Sequence, residues 1–423
     1  MGDYLKLFKT HSEYEAYSVG GEMLKPNVSY CRQENEVHYN PWTWADTYLI
    51  FVAKEAGTFT FTPQNSNVIS YSTDNGDSWI VGNSVEVNSG DRVLWKGTMT
   101  PSSSGMGTFS STANFDAEGN VMSLLFGDNF KGQVDLTGKT NAFYQLFYNN
   151  DKVMSAENLS LPATTLANRC YYSMFQGCTS LVAAPELPAT TLERQCYYSM
   201  FQGCTSLVTA PEPPATTLAD YCYGSMFKGC TALATAPVLP ATTLASSCYS
   251  SMFQGCTSLV TAPSILPATT LTSQCYYSMF QGCTSLVTAP ELSATSIYYG
   301  DEGSCVNMFQ GCTSLVTAPS ILHATTLNAG CYYGMFKGCT ALTKAPVLPA
   351  TTLASSCYGE MFRGCTNLNY IKAMFTTTPG TDTMNWVDGV ASTGTFVKNS
   401  AATWNVTGVY GIPSGWTVET ASA

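Results

Sequence analysis

The fold of this chain is decided by the stretch Met-Phe-Gln-Gly-Cys-Thr-Ser-Leu, residues 252–259, and by seven further copies of it. Consecutive copies begin at similar intervals, such as 27 residues from Met252 to Met279 and 29 residues from Met279 to Met308. Repeats of this length are typical of solenoids, because one unit cannot bury its own apolar face and must stack on its neighbours. The copies begin at Met174, Met200, Met226, Met252, Met279, Met308, Met335 and Met361.

The spacing inside each copy predicts the local structure. Cys248, Met252 and Cys256 follow one another at intervals of four residues, which places them on one stripe of a helix. Gly255 stands where such a helix must end, so the pattern predicts a short helix or a set of tight turns. The next residues, 258–263, contain β-branched valine and threonine, which favour a short strand. We therefore predict an α+β repeat, a leucine-rich-repeat solenoid with a short strand and a short helix in every coil.

The centre of the repeat, Phe-x-Gly-Cys-x-x-Leu, recurs over about residues 146–375. It resembles the BspA-type leucine-rich repeats of surface proteins from gut and oral bacteria, and this implies a right-handed solenoid that serves extracellular adhesion or recognition. The stretches Asn-Val-Ser-Tyr-Cys, residues 27–31, and Glu-Val-His-Tyr-Asn, residues 36–40, resemble the N-termini of virion proteins of phages that infect Bacteroidales. That likeness implies an attachment segment.

Four units are predicted along the chain. Residues 1–45 form the attachment segment, and residues 46–120 form an all-β, sandwich-like domain because short strand-like runs alternate with turns there. Residues 121–375 form the solenoid with its N-terminal cap, and residues 376–423 form an aromatic C-terminal cap. The strand-like runs are residues 48–52, 58–62, 68–71, 84–87 and 92–95.

Aromatic motifs near both ends of the chain have structural interpretations and functional alternatives. Trp404 and Trp416 are assigned to the C-terminal cap, with carbohydrate binding as the alternative. Residues 72–79, Ser-Thr-Asp-Asn-Gly-Asp-Ser-Trp, resemble the Asp-box of sialidases. In that family the box is a hairpin turn remote from the chemistry, so the resemblance implies a hairpin here rather than a glycosidase.

The charge composition argues against several classes of partner. Only 11% of the residues are charged and the net charge is −11, without the clustered lysine and arginine that nucleic acid or an anionic membrane surface requires. No apolar run is long enough to span a bilayer. The first residues lack the pattern of a secretory signal, so we expect either that a signal has been removed from this sequence or that the protein does not use that export route, as a virus-particle protein would not.

Most of the 17 cysteines fall in pairs within the repeats, such as Cys248 and Cys256. Eight residues along a helix span ~12 Å, which is too far for a disulfide within one coil. We interpret these cysteines as small buried apolar side chains, while disulfides between adjacent coils stay open as an alternative. The sequence has no Cys-x-x-Cys pair, so it predicts no zinc site.

The sequence predicts no enzyme, no cofactor and no metal site. Its three histidines, His11, His38 and His323, form no motif, and no phosphate-binding loop, calcium loop or metal triad occurs. A pair of glycosidase carboxylates could still lie among the 29 acidic residues.

Differences between the copies point to a contact surface. They concentrate around the first cysteine of each copy and at Gln176, whose place is taken by Lys228 and Arg363 elsewhere. The second of two tyrosines after the first cysteine is a candidate ligand contact, because tyrosine offers rigid amphipathic area. The alternative is that one tyrosine per copy packs between coils and the rest varies freely. These candidates are Tyr172, Tyr198, Tyr277 and Tyr333.

The copy before Met308 carries an inserted loop, which is a second candidate contact. Its residues Tyr298, Tyr299, Asp301 and Glu302 combine two aromatic and two acidic side chains. Insertions in solenoids map to loops on one face. An insertion tolerated on the surface without a function is the alternative.

These observations predict a non-catalytic recognition or adhesion protein. The favoured role is a phage fibre or decoration protein in the virion, attached through its N-terminus, that binds a glycan or protein on a host or mucosal surface through the solenoid. A bacterial cell-surface adhesin or lipoprotein and a passive structural spacer are the alternatives. A homotrimer is the assembly that fibres of this kind commonly adopt.

Overall fold

The structure is a computed structural model, and it describes residues 41–297 and 303–421. One short α-helix, α1 (Ser123–Phe126), and three 3-10 helices (Pro41–Asp46, Gly127–Asn129 and Thr381–Thr383) occur in these residues. The strands are β1 (Leu49–Ala53), β2 (Gly57–Pro63), β3 (Ile69–Ser72), β4 (Ile80–Val81), β5 (Ser84–Val87), β6 (Arg92–Gly97), β7 (Gly107–Ser111), β8 (Phe115–Asn120), β9 (Val153–Ser155), β10 (Leu159–Ser160), β11 (Ile265–Leu266), β12 (Thr270–Leu271), β13 (Glu291–Leu292), β14 (Ser296–Ile297), β15 (Tyr370–Ala373), β16 (Thr395–Lys398) and β17 (Thr417–Thr420).

The strands before residue 121, together with β9 and β10, form two sheets that pack face to face. One has the order β10-β8-β1-β6-β3-β4, with β9 also paired to β8, and the other has the order β5-β2-β7. Phe51 of β1 lies between the sheets, with ring centroids 5.4 Å from Phe59 of β2 and 4.7 Å from Phe109 of β7. The five runs predicted as strands correspond to β1, β2, β3, β5 and β6, because alternating side chains fill this aromatic core.

The larger sheet continues into the first coil of the solenoid. Strands β9 and β10 both pair parallel with β8, for example Leu159 with Gly119. Buried side chains form one cluster that runs from the sandwich through all the coils. The division of the chain into four units stays a prediction. The larger sheet crosses the predicted boundary between the sandwich-like domain and the solenoid at residue 120.

The prediction of an α+β repeat with a helix in every coil is wrong, because the coils form a β-solenoid. The stretch between the two cysteines of a coil is a series of tight turns. Ser247, Ser251 and Gly255 have positive φ angles of 54°, 56° and 74°, so the backbone turns once every four residues. A period of 4 mimics the 3.6-residue helical period over so short a segment.

Successive amide groups in this stretch alternate between a partner in the same coil and a partner in the next coil. The N–H of Cys248 donates to the Ala245 carbonyl within its own turn, whereas the N–H of Tyr249 donates to Cys275 of the next coil at 3.1 Å. An α-helix would satisfy both groups internally. Turns leave every second amide to the neighbouring coil, so these hydrogen bonds hold the stack together.

The remaining sides of each coil are joined by short parallel bridges. Thr261 pairs with Thr288 and Thr288 with Thr317 on one side, and β12 pairs with β14 on another. The described coils thus have a turn-rich side and two extended sides. Proline interrupts the extended sides and keeps their strands short.

Like residues stack on like residues inside the solenoid. Phe227 and Phe253, for example, are parallel with centroids 5.7 Å apart, and the methionines and leucines of all eight copies are fully buried. Trp386 closes the array against the rings of Tyr358 and Phe362 at 6.4 and 6.1 Å. This layered core is what one repeated sequence produces when its copies stack in register.

The other C-terminal tryptophans are buried as well. Trp404 stacks on Phe375 at 5.1 Å, and its Nε1 donates to the Phe375 carbonyl. The Nε1 of Trp416 donates to the carbonyl of Ala391. Their burial supports the capping role over carbohydrate binding, because the indole faces are covered by protein.

The coil of Met308 departs from the register that its cysteines suggest. Tyr276 donates its N–H to Ser304, and Phe280 donates to Met308, both at 2.9 Å. Ser304 therefore occupies the place of a first cysteine, and Cys305 occupies the place of the buried tyrosine that follows it in other coils. The spacing of seven residues between Cys305 and Cys312 reflects this shift.

Candidate functional site

The turn-rich side of the solenoid carries the candidate site, and we call it the turn face. It consists of the outward side chains of residues 246–255 in the coil of Met252 and of the equivalent residues in the other coils. Its backbone is held by the hydrogen bonds between coils described above. Outward side chains of successive coils therefore lie in columns along the solenoid axis.

One column contains the predicted tyrosines. All four are partly buried, and the backbone register places them in line, for example through the bond from the Ser173 N–H to the Tyr198 carbonyl. The members of this tyrosine column are Tyr144, Tyr172, Tyr198, Gly224, Ser250, Tyr277, Val306, Tyr333 and Gly359.

The first three members form a continuous stack. Tyr144, Tyr172 and Tyr198 follow one another with centroids 5.1 Å apart and planes within 19°. Partial burial and the adjacent phenols of Tyr198 and Tyr144 raise the pKa of Tyr172. Because the rings face each other, they expose their edges and hydroxyl groups to solvent rather than their faces.

Tyr277 and Tyr333 have no tyrosine next to them in this column. Ser250 and Val306 flank Tyr277, and Val306 and Gly359 flank Tyr333. The pKa of Tyr333 is raised by partial burial and by the Glu360 carboxylate. The structure therefore does not bring the four predicted tyrosines into one continuous stack.

The first tyrosine of each pair has a different place. Tyr171 and Tyr197 are fully buried and stack on one another at 5.5 Å, and Tyr276 and Tyr332 are buried as well. The prediction that one tyrosine per copy packs between coils is thus confirmed for these copies. The second tyrosine remains at the surface, where ligand contact is untested.

The inserted loop lies outside the described residues. The predicted contacts Tyr298, Tyr299, Asp301 and Glu302 all belong to it. Their role stays a prediction.

Two arginines that the sequence analysis did not select border the tyrosine stack. The Arg169 guanidinium carbon lies 5.3 Å from the Tyr172 ring centroid, and its Nε donates to Oε1 of Gln195 at 2.8 Å. Arg194 lies 5.8 Å from the ring of Tyr221. Both arginines belong to the variable positions beside the first cysteine, and that variability was the available signal for them.

A second column on the turn face holds the other variable position. Gln254 donates to Gln281, and Gln281 donates to Gln310 at 2.9 Å, so the amides form a ladder. Lys228, Lys337 and Arg363 replace glutamine in this column. Both variable positions of the repeat therefore lie on the same face. The members of this glutamine column are Gln176, Gln202, Lys228, Gln254, Gln281, Gln310, Lys337 and Arg363.

Charges at the C-terminal end of the turn face are paired. Glu360 accepts from Lys337 Nζ at 2.6 Å and from Arg363 Nη1 at 2.9 Å, and Arg363 also lies 3.4 Å from Asp388. The hydrogen bond from Lys337 is the main cause that lowers the pKa of Glu360. The charged side chains at this end are therefore already engaged in ion pairs with one another.

The cysteines are free thiols in the described residues, and each of them is buried. The interpretation as small buried side chains holds, but the second cysteine of each copy also forms a hydrogen bond. Cys256, for example, directs its Sγ to the Phe227 carbonyl at 3.0 Å. Burial raises the pKa of this thiol to about 12, so it is protonated at neutral pH.

The Asp-box resemblance corresponds to a hairpin between β3 and β4, as predicted. Its side chains bond to one another: Ser72 donates to Asp74 at 2.7 Å and accepts from the Gly76 N–H at 2.8 Å. Hydrogen bonds from Ser72 and Ser78 lower the pKa of Asp74 to about 2. The carboxylate is thus occupied in shaping the turn.

The described residues give little support to a metal or a membrane span. They include no group of three His, Cys, Asp or Glu side chains that could hold a metal ion. None of their helices is long and apolar enough to cross a bilayer. His323 is exposed on an extended side, and the other two histidines lie outside the described residues.

No family model and no curated protein matches the chain. A leucine-rich repeat protein from Bacteroides ovatus, known from a crystal structure, is similar to it with a TM-score of 0.27 and 15% sequence identity. The similarity covers 69% of this chain and 91% of that chain. A TM-score of this size supports no conclusion about function.

Proposed function

We propose that this chain is a non-catalytic recognition protein whose turn face binds a glycan or protein on a host or mucosal surface. One observation carries the proposal: the variable residues around the first cysteine and the variable Gln176 position lie together on the turn face. One extended side repeats an exposed valine in most coils, at Val182, Val208, Val260, Val287 and Val316, whereas an exposed position further along differs, as at Glu186, Glu212 and Val238. Two columns of variable side chains gathered on one exposed face of a repeated scaffold are typical of a binding surface.

The proposed setting is a phage virion, with the chain as a fibre or decoration protein attached through residues 1–45. The resemblance of residues 27–40 to virion proteins supports this setting. The resemblance of the repeats to BspA-type proteins supports a bacterial adhesin instead, and the turn face would serve either. Mass spectrometry of purified phage particles and of bacterial surface fractions separates the two settings.

A passive spacer is the second candidate, because the stack from Tyr144 to Tyr198 also has a packing role. The two candidate functions differ in whether the turn face binds a ligand. A spacer binds nothing through the turn face, whatever side chains stand there.

The test compares two double variants of the full chain on mucin-coated wells and on cells of Bacteroidales strains. Tyr172→Ser with Tyr198→Ser alters the turn face, and serine fits that column because Ser250 occupies it naturally. Val182→Thr with Val208→Thr alters an extended side of the same two coils, where Thr343 occupies the equivalent place.

We expect the tyrosine variant to lose binding at least tenfold while the valine variant binds like wild type. Equal binding by all three proteins would exclude the turn face as the contact surface. No binding by wild type to any cell or mucin would favour the spacer.

A further inference from the structure

The N-terminal half of the turn face carries three cations that form no ion pair within the described residues. Among the described arginines, Arg92 and Arg363 form ion pairs with acidic side chains. Arg169, Arg194 and Lys228 form none with any described residue, although Arg169 bonds to the neutral Gln195. These three belong to consecutive coils of one face: Arg169 and Arg194 lie in neighbouring columns, since the Arg169 N–H donates to the Arg194 carbonyl, and Lys228 lies in the glutamine column.

Two acidic residues stand near these cations in sequence. Asp220 is exposed, and its Oδ1 accepts from the Ser246 N–H at 3.1 Å. Glu193 is exposed beside Arg194. Neither forms an ion pair with the three cations, so this region is locally positive by one charge on a chain whose net charge is −11. Local excess of the opposite sign indicates a specific electrostatic preference.

The side chains here have the geometry for oxyanions. Arg169 uses its Nε for Gln195, which leaves both of its Nη groups for a second partner. Contact with Tyr172 and Tyr221 orients the two guanidinium groups, and a planar oriented guanidinium binds carboxylate or sulfate through two parallel hydrogen bonds. The hydroxyl edges of the tyrosine stack add donors along the same line.

We propose that this region, defined by Arg169, Arg194, Lys228 and the stacked Tyr172 and Tyr198, binds an acidic polysaccharide that carries carboxylate or sulfate groups along its chain. The inference rests on the proposed function and names the ligand class of the same face. Donors repeated from coil to coil suit a linear polymer whose charges also repeat. A neutral glycan would leave the two guanidinium groups without an anionic partner, because no described carboxylate forms an ion pair with them.

The test measures competition for the binding of the full chain to mucin-coated wells. Polygalacturonate supplies carboxylates, dextran sulfate supplies sulfates, and dextran is the neutral control. Duplex DNA supplies a phosphate polyanion of different shape. We expect one or both acidic polysaccharides to compete at least tenfold better than dextran and DNA, and binding to fall steeply with added salt. The stronger competitor identifies the acidic group.

Two triple variants with the same loss of charge complete the test. Arg169→Gln, Arg194→Ser and Lys228→Gln introduce residues that other coils carry at the same positions, so the fold is retained. Lys131→Gln, Lys152→Gln and Lys344→Thr remove three charges elsewhere. We expect at least a tenfold loss of mucin binding for the first variant and none for the second.

The outcomes separate this inference from the proposed function. If the tyrosine double variant loses binding while polyanions and the arginine triple variant have no effect, the acidic ligand is excluded and the recognition face stands. Equal competition by DNA, or equal losses in both triple variants, would indicate non-specific charge attraction and overturn the inference. If wild type binds nothing, the proposed function fails and the inference fails with it.

Discussion

The ring of Tyr198 lies against Gly224 of the next coil, and a Cβ on that glycine would stand 2.9 Å from Cδ2 and Cε2 of the ring. Tyr333 lies on Gly359 in the same way, with the corresponding distances at 2.8 Å. In both pairs the tyrosine leans over a coil that has no side chain in the tyrosine column. The orientation of a surface tyrosine is therefore set by its neighbour in the following coil.

The first prediction tests this contact. Gly224→Ala should displace the Tyr198 ring and lower the free energy of unfolding by about 1 kcal/mol, because the added methyl overpacks the contact. Binding to mucin should weaken together with the displacement. Ser250→Ala, in the same column of the next coil, is the control and should change neither. Thermal unfolding and the mucin assay measure both effects, and unchanged behaviour of Gly224→Ala would show that the ring position does not matter.

The second prediction concerns the two cysteines of one coil. Cys256 donates to the Phe227 carbonyl, whereas no hydrogen bond from the Cys248 thiol occurs in the described residues. Both are fully buried, so alanine removes similar packing at either site. We expect Cys256→Ala to be more destabilising than Cys248→Ala by about 0.5 kcal/mol, the lower end of the range for a hydrogen bond, because a thiol is a weak donor. Urea unfolding of the two variants measures the difference, and equal stabilities would refute a role for the thiol bond.

The third prediction concerns alkaline pH. Burial raises the pKa of Cys256, Cys275 and Cys312 to about 12, and it raises the pKa of buried tyrosines such as Tyr249 well above the usual value. An unfolded thiol ionises near pH ~8.5, so above that pH the unfolded chain releases protons that the folded chain retains. Stability should thus be constant between about pH 6 and 8 and fall steeply as the pH rises from about 9 towards 12.

Melting temperature against pH measures this effect. Labelling with a thiol reagent at pH 8 provides a second measurement, because the sixteen described cysteines are buried and should react only when coils open. Rapid labelling of several cysteines in the folded protein would contradict their burial between the coils.

The fourth prediction concerns Glu360. Its ion pairs with Lys337 and Arg363 keep its folded pKa below the usual value, so its contribution is present above pH ~4.5 and lost as the pH falls through the folded pKa. Glu360→Gln should lower stability at pH 7 by about 1 kcal/mol or less, because both cations are partly exposed. Glu186→Gln is the control, since Glu186 forms no ion pair in the described residues. A similar change in stability in both variants would show that the ion pairs of Glu360 do not stabilise the fold.

Much of the architecture could be predicted from the repeat. A period of 26 to 29 residues with unchanging Met, Phe, Cys and Leu indicates stacking and identifies the core side chains, because only residues facing a neighbouring copy are constrained alike. The hairpin at residues 72–79 and five strands of the sandwich also followed from local patterns. Local signals sufficed there because turn chemistry and alternation depend on adjacent residues.

Other features could not be predicted. Spacing of four residues between Cys248, Met252 and Cys256 fits a helix as well as turns, and only the bonds to the next coil distinguish them. The place of Cys305 in the tyrosine position follows from register between coils rather than from cysteine spacing. The grouping of Arg169, Arg194 and Lys228 has the same origin.

The sequence by itself determined that the chain stacks and which side chains are buried, since repetition and apolarity are properties of the residues. Only the tertiary structure decided that each coil turns without a helix, which of two adjacent tyrosines faces solvent and which charges lie unpaired together. The physical reason is that alternate amides and outward side chains find their partners one coil away. Their environment is therefore set by the register of the stack and is absent from any single repeat.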